Sequence, residues 1–286
     1  MTLRYWYILP IAALIATVAT ASGVGGATFL TPLFILALHV PPQVAVGVGL
    51  VSEVFGFASA FYAYAHKGLI DYRLGVTLLT ITIPVAMLGT LMADLVEPEI
   101  LKTILGVGLF AVAVRSLRAP NAERQGRTDI AKKLHGGGQG QTCLVTSEGE
   151  KICYTVCNRT VGRLIAAVGA LFKGMIATGL GELNEDFLLE NCHVPSRVSV
   201  ATGVFVVLFT TLSAAIGHLA KFVLGGGQEL ATALNLTILT IPGVVLGGQP
   251  GPWVVSHLPP RALERELHIL LLLLAALTLV EVALGS

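Results

Sequence analysis

A glycine-rich interruption near the start of the chain constrains the fold more than any other sequence feature. It lies within residues 21–33, between short apolar runs at 5–21 and 27–38. Three glycines and a proline fall close together there, so we expect the backbone to leave helical geometry. At membrane depth, irregular backbone is tolerated only where protein buries it or where it lines a wet cavity. If the chain spans a bilayer, this break is the first candidate for a binding site.

The composition indicates a protein that crosses a membrane several times. Of 286 residues, 54% are hydrophobic and 12% are charged, whereas an average soluble domain has about 25% charged residues. The mean hydropathy is +0.80. A net charge of +1 gives no argument for a nucleic-acid partner, and we expect none.

The basic residues are concentrated in one segment. Half of the 18 lysines and arginines fall between residues 115 and 163, and such an excess marks the cytoplasmic side of a membrane protein. We therefore predict that residues 119–160 are a cytoplasmic linker. Its alternating pattern at 142–156 predicts a small β-hairpin.

Two halves of the chain share sequence features in the same order. The matching segments are 40–47 with 194–201, 83–89 with 241–247, and the glycine break with 178–188. Duplication explains these matches better than chance. We therefore predict a first membrane repeat at 1–118 and a second at 161–286.

The predicted fold class is an all-α polytopic membrane protein with two homologous, inverted repeats. Each repeat is expected to contain a broken or re-entrant helix pair and three transmembrane helices. The predicted crossings are 43–65, 72–94 and 98–118 in the first repeat, and 198–220, 230–248 and 264–284 in the second. This arrangement is common in secondary transporters, whose substrate sites lie near the bilayer midplane.

The first repeat also carries a series of short motifs. They are Gly23-x-Gly25-Gly26, Phe29-Leu30-x-Pro32-Leu33, Ala45-Val46-Gly47, Lys67-Gly68-Leu69-Ile70-Asp71 and Gly89. Their order and the duplication resemble the TauE/SafE sulfite exporter family. The resemblance covers both repeats, with the 119–160 linker outside it. It implies a transporter in the inner or plasma membrane for sulfite, thiosulfate or a sulfonate.

A helix break near the midplane exposes backbone N–H groups and the positive end of a half-helix dipole, which favours an anion. We predict that both breaks contact the substrate. The predicted contacts are Gly23, Gly25, Gly26, Thr28, Gly179, Gly181, Glu182 and Asn184. The alternative is that the glycines only allow close helix packing.

Two ionisable residues lie deep inside predicted helices and are functional candidates for that reason. Glu53 is predicted to carry a coupling proton, or to be a neutral, hydrogen-bonded carboxyl group. Lys173 is predicted to neutralise the substrate anion, to pair with Glu182 or Glu185, or to extend to the interface. The sequence has no nucleotide-binding motif, so we expect a proton or sodium gradient to drive transport, with no cofactor.

A cation transporter and an enzyme are the other functions to consider. Where a second glycine-rich run is expected, the chain has three carboxylates, so a cation transporter is the alternative. Its ligands would be Glu53, Glu182, Glu185 and Asp186. An enzyme is not expected, because the sequence has neither a His-Glu-x-x-His run nor a serine nucleophile elbow.

The linker cysteines allow a zinc site or a disulfide. A zinc site would combine His135, Cys143, Cys153 and Cys157, but the spacing differs from that of a zinc ribbon. In a paired hairpin we expect Cys143 and Cys153 to lie on opposite faces. A disulfide is not expected on a cytosolic face, and no metal site is predicted.

Overall fold

A computed structural model describes residues 6–22, 24–117, 141–147, 149–155, 159–188, 194–251, 253–254 and 260–284. The first half contains the helices α1 Ile8–Ser22, α2 Ala27–Leu38, α3 Pro42–His66, α4 Tyr72–Leu95 and α5 Pro98–Leu117. Two strands follow, β1 Gln141–Val145 and β2 Lys151–Thr155. The second half contains α6 Arg159–Ile176, α7 Leu180–Asp186, α8 Ser196–Gly225, α9 Gly227–Gly248 and α10 Pro260–Leu284.

Four of the described helices are long and apolar enough to cross a membrane. These segments are Pro42–His66, Tyr72–Ala93, Ser196–Gly225 and Leu230–Gly248. The prediction of an all-α polytopic membrane protein is confirmed. Helices α1 and α2 are apolar but shorter than a crossing needs, as predicted for a broken pair.

Both predicted breaks interrupt helices. Helix α1 ends at Ser22 and α2 begins at Ala27. Between α6 and α7, Ala177 has a φ of 63° and Gly179 a φ of +105°. A left-handed conformation costs a residue with a side chain roughly 1–2 kcal/mol, and such strain concentrates at functional sites. The strained alanine therefore singles out the second break.

Helices α3 and α8 form the centre of the molecule. In the most apolar 18-residue stretches of α3 and α8, 67% and 72% of the residues are buried. The corresponding values for α4 and α9 are 39% and 33%. Helices α3 and α8 pack against each other, and α5 packs against α10. The central position of α3 places its mid-helix residue Glu53 in the protein interior.

The first helix of each half packs against a helix of the other half. Helix α1 contacts α9, and α6 contacts α4. A Cβ atom at Gly247 would meet the Ala13 carbonyl of α1, and one at Gly89 would meet the Leu171 carbonyl of α6. These glycines are equivalent in the sequence repeat, so the same kind of close crossing occurs twice. The inversion of the halves and the domain boundaries stay predictions.

The predicted hairpin is present, but its cysteines differ from expectation. Strands β1 and β2 are antiparallel, with Cys143 directly opposite Cys153. Directly opposed residues share one face of a two-stranded sheet, so the expectation of opposite faces was wrong. The structure joins the two cysteines by a disulfide, contrary to the expectation for a cytosolic face. His135 and Cys157 lie outside the described residues.

The hairpin docks on the loop between α3 and α4. The Ser147 backbone N–H donates to the Lys67 carbonyl at 3.2 Å. The buried Tyr154 hydroxyl donates to Oδ2 of Asp71 at 2.7 Å, and Asp71 caps α4 by accepting from the Leu74 N–H. The hairpin and the α3–α4 loop, which holds Lys67, thus lie on the same side of the molecule.

Replacing Tyr154 with phenylalanine is expected to loosen the docked hairpin. A hydrogen bond to a charged group contributes roughly 1.5–3 kcal/mol, so limited proteolysis should cut residues 141–155 several-fold faster in Y154F. Burial, then the hydrogen bond to Asp71 and its charge, raise the pKa of Tyr154 above its ordinary range. The contact should therefore be fully present below about pH 10 and weaken above it.

The control for this experiment is Y72F, because Tyr72 is 49% exposed at the start of α4. This substitution removes a hydroxyl group at a more exposed position. Equal cleavage rates in Y154F, Y72F and the unmodified protein would show that the Tyr154–Asp71 hydrogen bond does not hold the hairpin.

Candidate functional site

A buried ion pair joins the two halves of the molecule. Lys173 Nζ lies 2.6 Å from Oε2 and 2.9 Å from Oε1 of Glu53. Both side chains are fully buried, with 0% exposure each. Removing two charges from water costs several kcal/mol per ion, and ionisable residues at membrane depth are functional candidates. The pair is therefore the starting point for the site.

The second break provides a further ligand for the lysine. Lys173 Nζ donates to the carbonyl oxygen of Ala177 at 3.1 Å. Ala177 has a left-handed backbone, and it lies one turn beyond Lys173 on the chain. The strained break thus directs a carbonyl oxygen at the ammonium group.

The first break closes against the same ion pair. A Cβ atom at Gly25 would meet Lys173 Nζ and would lie 2.7 Å from Glu53 Oε1. Only a residue without a side chain fits between the break and the pair. Gly25 is therefore required where the backbone approaches the two charges, which is more specific than general helix packing.

A hydrogen bond connects the two breaks directly. The Thr28 hydroxyl, in the first turn of α2, donates to Thr178 Oγ1 at 3.1 Å. Thr28 is 0% and Thr178 is 1% exposed. The two glycine-containing breaks, which are far apart in sequence, therefore meet at one buried polar centre. We call Gly25, Thr28, Glu53, Lys173 and Thr178 the central site.

A buried histidine lies beside the central site. His218 of α8 is 1% exposed, and its Nε2 is 3.0 Å from the carbonyl oxygen of Gly174, the residue after Lys173. In the sequence, His218 lies near the end of the predicted crossing 198–220. The longer α8 helix, which continues to Gly225, places it in the interior instead.

The central site is closed in this conformation. A cavity of about 10 Å³ beside Glu53 is lined by Gly26, Gly56 and Phe57, among others. This volume holds about one water molecule, which is smaller than a sulfite or sulfonate ion. The cavity is therefore too small for such an ion in this conformation.

The structure brings together four of the predicted site residues: Gly25, Thr28, Glu53 and Lys173. Lys173 pairs with Glu53, whereas the side chains of Glu182 and Glu185, the partners that the sequence suggested, lie outside the described residues. Lys173 does not extend to the interface, since it is fully buried. Gly26 lines the small cavity beside Glu53.

The other predicted contacts lie elsewhere. Gly179 packs on Phe172 and Gly169 of α6, and Gly181 is buried in α7. Asn184 lines a separate cleft. Gly23 lies outside the described residues, as do the side chains of Glu182, Glu185 and Asp186. The sequence did not single out three residues that the structure places in or beside the central site: Ala177, which accepts from Lys173, Thr178, which accepts from Thr28, and His218, which contacts the Gly174 carbonyl.

Two further lysines in the helices have partners within the protein. Lys102 of α5 pairs with Glu281 of α10 at 2.9 Å. Lys221 of α8 donates to the Thr90 carbonyl of α4. Both lysines therefore take part in contacts between helices.

Comparison with known proteins gives a consistent result. The family model described as "Sulfite exporter TauE/SafE" matches residues 8–278. A Bacillus subtilis (strain 168) protein described as "Probable membrane transporter protein YunE" is 24% identical over 282 residues, which cover 96% of this chain and 97% of the relative. A second protein of that organism, "Probable membrane transporter protein YjnA", is 28% identical over 260 residues, 87% of this chain and 88% of the relative. No solved structure gives a significant match.

Proposed function

Because the chain belongs to the sulfite exporter TauE/SafE family and is a membrane transporter, we propose that it is a secondary transporter for a small organosulfur anion. The substrate class is sulfite, thiosulfate or a sulfonate, and the substrate binds at the central site. Alternating access to the two sides would follow from movement of the two halves around this site. The relatives are named as transporters and not as enzymes.

The observation that carries the proposal is the full burial of Lys173 between the two breaks. Its ammonium group is the positive charge at the place where Gly25 and Ala177 bring irregular backbone together. An anion that reached this point would gain the lysine charge and the hydroxyl groups of Thr28 and Thr178. These groups suit the oxygens of a sulfite or sulfonate.

In this proposal, the protonation state of Glu53 controls binding of the anion to Lys173. Both of its carboxylate oxygens accept from Lys173, so Glu53 and a substrate anion compete for the same ammonium group. A proton on Glu53 would remove its negative charge and release Lys173 for the substrate. The anion and one proton would then occupy the site together, which gives Glu53 the coupling role expected from the sequence.

The cation alternative depends on carboxylates with oxygens available to a metal ion. In this conformation both oxygens of Glu53 accept from Lys173. Among the residues that the structure describes, no group of three or more His, Cys, Asp or Glu side chains is placed to hold a metal. The side chains of the other three proposed ligands, Glu182, Glu185 and Asp186, lie outside the described residues. The occupied oxygens of Glu53 are therefore the observation that favours the anion, and a direct comparison with divalent cations tests the alternative.

A ligand-dependent unfolding experiment tests the proposal. The purified protein and its E53Q variant are heated with sulfite, thiosulfate, methanesulfonate, chloride, Mg²⁺ or Ca²⁺. E53Q mimics the protonated glutamate, so a sulfur oxyanion should stabilise E53Q more than the unmodified protein. A ligand at 100 times its Kd stabilises the folded state by about 2.7 kcal/mol.

The double variant E53Q/K173M supplies the control. It removes both charges of the pair, so the extra stabilisation seen in E53Q should disappear. Identical sulfite shifts in E53Q and E53Q/K173M would show that the anion does not use Lys173. Stabilisation of the unmodified protein by a divalent cation alone would favour the cation transporter.

A further inference from the structure

A separate cleft with both apolar and polar lining residues lies where α4, α6, α7 and the hairpin meet. Its lining includes Arg73 of α4, Arg163 of α6, Asn184 of α7 and Thr142 of β1. The cleft has a volume of about 50 Å³, and by the same measure one water molecule needs roughly 10–15 Å³. It therefore has room for several water molecules, or for one small oxyanion.

Asn184 has an unused hydrogen-bond donor at this cleft. The side chain is 2% exposed, and among the residues that the structure describes its Nδ2 has no hydrogen-bond partner. A buried donor without a partner costs roughly 1–3 kcal/mol, so native proteins rarely leave one without a reason. An acceptor atom bound in the cleft would satisfy this amide group.

The charges around the cleft favour an anion. Arg73 and Arg163 line it, and both are exposed. The carboxylate of Asp71 also lines it, but Oδ1 accepts from the Leu74 N–H and Oδ2 from the Tyr154 hydroxyl. Among the described lining residues, two arginines therefore stand against one aspartate, whose carboxylate oxygens are already hydrogen-bonded.

We propose that this cleft is a second binding site for a small oxyanion, held by Arg73, Arg163 and Asn184. Guanidinium groups bind the oxygens of sulfonate, sulfite and phosphate groups in bidentate geometry, and the asparagine amide donates to a further oxygen. Thr142 places the hairpin in the wall of the site, which gives the linker a role in binding. Only the choice of a sulfur oxyanion as the ligand rests on the proposed function.

Direct binding to the purified full-length protein tests the site. Equilibrium dialysis with labelled sulfite measures how many ions bind, and methanesulfonate and phosphate compete in separate arms. The E53Q/K173M variant removes the central site, so its remaining binding reports the cleft. We expect this variant to bind one sulfite ion and R73Q/R163Q/E53Q/K173M to bind it at least tenfold more weakly.

The matched control is R197Q in the E53Q/K173M background. Arg197 is an exposed arginine near the hairpin, 3.9 Å from Glu150, and it does not line the cleft. Its removal should leave sulfite binding unchanged. N184L in the same background should weaken binding as well, because it removes the amide donor at similar side-chain size.

The possible results distinguish the cleft site from the central site on which the proposed function depends. Loss of all sulfite binding in E53Q/K173M would overturn the cleft site and leave the central site standing. Binding that survives in E53Q/K173M and is equal with and without the arginines would also overturn it. Phosphate competing more strongly than sulfite or methanesulfonate would support the oxyanion site but reject a sulfur oxyanion as its ligand.

Discussion

Replacing Lys173 alone with methionine is expected to destabilise the protein by about 3–5 kcal/mol. The substitution leaves Glu53 buried with no positive partner, and breaking one side of a buried pair has a cost of this size. Both side chains are fully buried in the native structure, so bulk water does not solvate the remaining carboxylate. Reversible unfolding in mixed micelles measures the loss.

The double variant E53Q/K173M should recover most of that stability. A neutral polar group and a methionine need no ionic partner, and replacing a buried pair with neutral residues is often neutral or stabilising. K102M is the control, because Lys102 and Glu281 are 17% and 14% exposed and water can partly solvate the remaining glutamate. Equal losses of stability in K173M and K102M would contradict a structural role for the Glu53–Lys173 pair. The same conclusion would follow if E53Q/K173M recovered no stability.

Substituting alanine for Gly25 is expected to reduce transport at least tenfold while the protein still folds. The added Cβ would meet Lys173 Nζ and Glu53 Oε1, and both atoms lie at the ends of flexible side chains. The pair can shift aside, so the fold should survive. The charges then no longer lie where the two breaks meet, and substrate uptake into proteoliposomes measures the loss.

Gly203 offers a matched control for this substitution. It lies in the central helix α8, and a Cβ added there would meet no atom within 4 Å in the part of the chain that the structure describes. G203A should therefore transport at the normal rate. If G25A transports as well as G203A, Gly25 serves helix packing alone, and the central site must lie elsewhere.

Much of the fold could be predicted from the sequence because the signals are local. Apolar runs, the two helix breaks and the alternating pattern of the hairpin are each contained within a short segment. The structure places α3, α4 and α9 close to the predicted spans. The family resemblance is confirmed over residues 8–278, because it rests on the order of motifs rather than on any single residue.

The site could be predicted only in part, because its contacts are long-range. Glu53 and Lys173 were each recognisable as charges at membrane depth, but they are separated by 120 positions. No local pattern indicates that α3 and α6 bring them together. The sequence therefore suggested partners for Lys173 that are close to it in the chain. The partner observed in the structure is Glu53.

The hairpin was predicted, but the relative positions of its two cysteines were not. Its strands were recognisable from alternation, but alternation does not fix the register between strands. A shift of one residue reverses which side chains share a face. The observed register places Cys143 opposite Cys153, and this pairing makes a disulfide possible where a zinc site had been considered.

Transport of labelled sulfite into proteoliposomes tests whether the Glu53–Lys173 pair takes part in moving the anion. The unmodified protein is compared with E53Q/K173M, which is expected to fold, under an imposed proton gradient. We predict saturable uptake that depends on the gradient in the unmodified protein and background uptake in the double variant. Equal uptake by the two proteins would contradict the account, because the buried pair would then play no part in moving the anion.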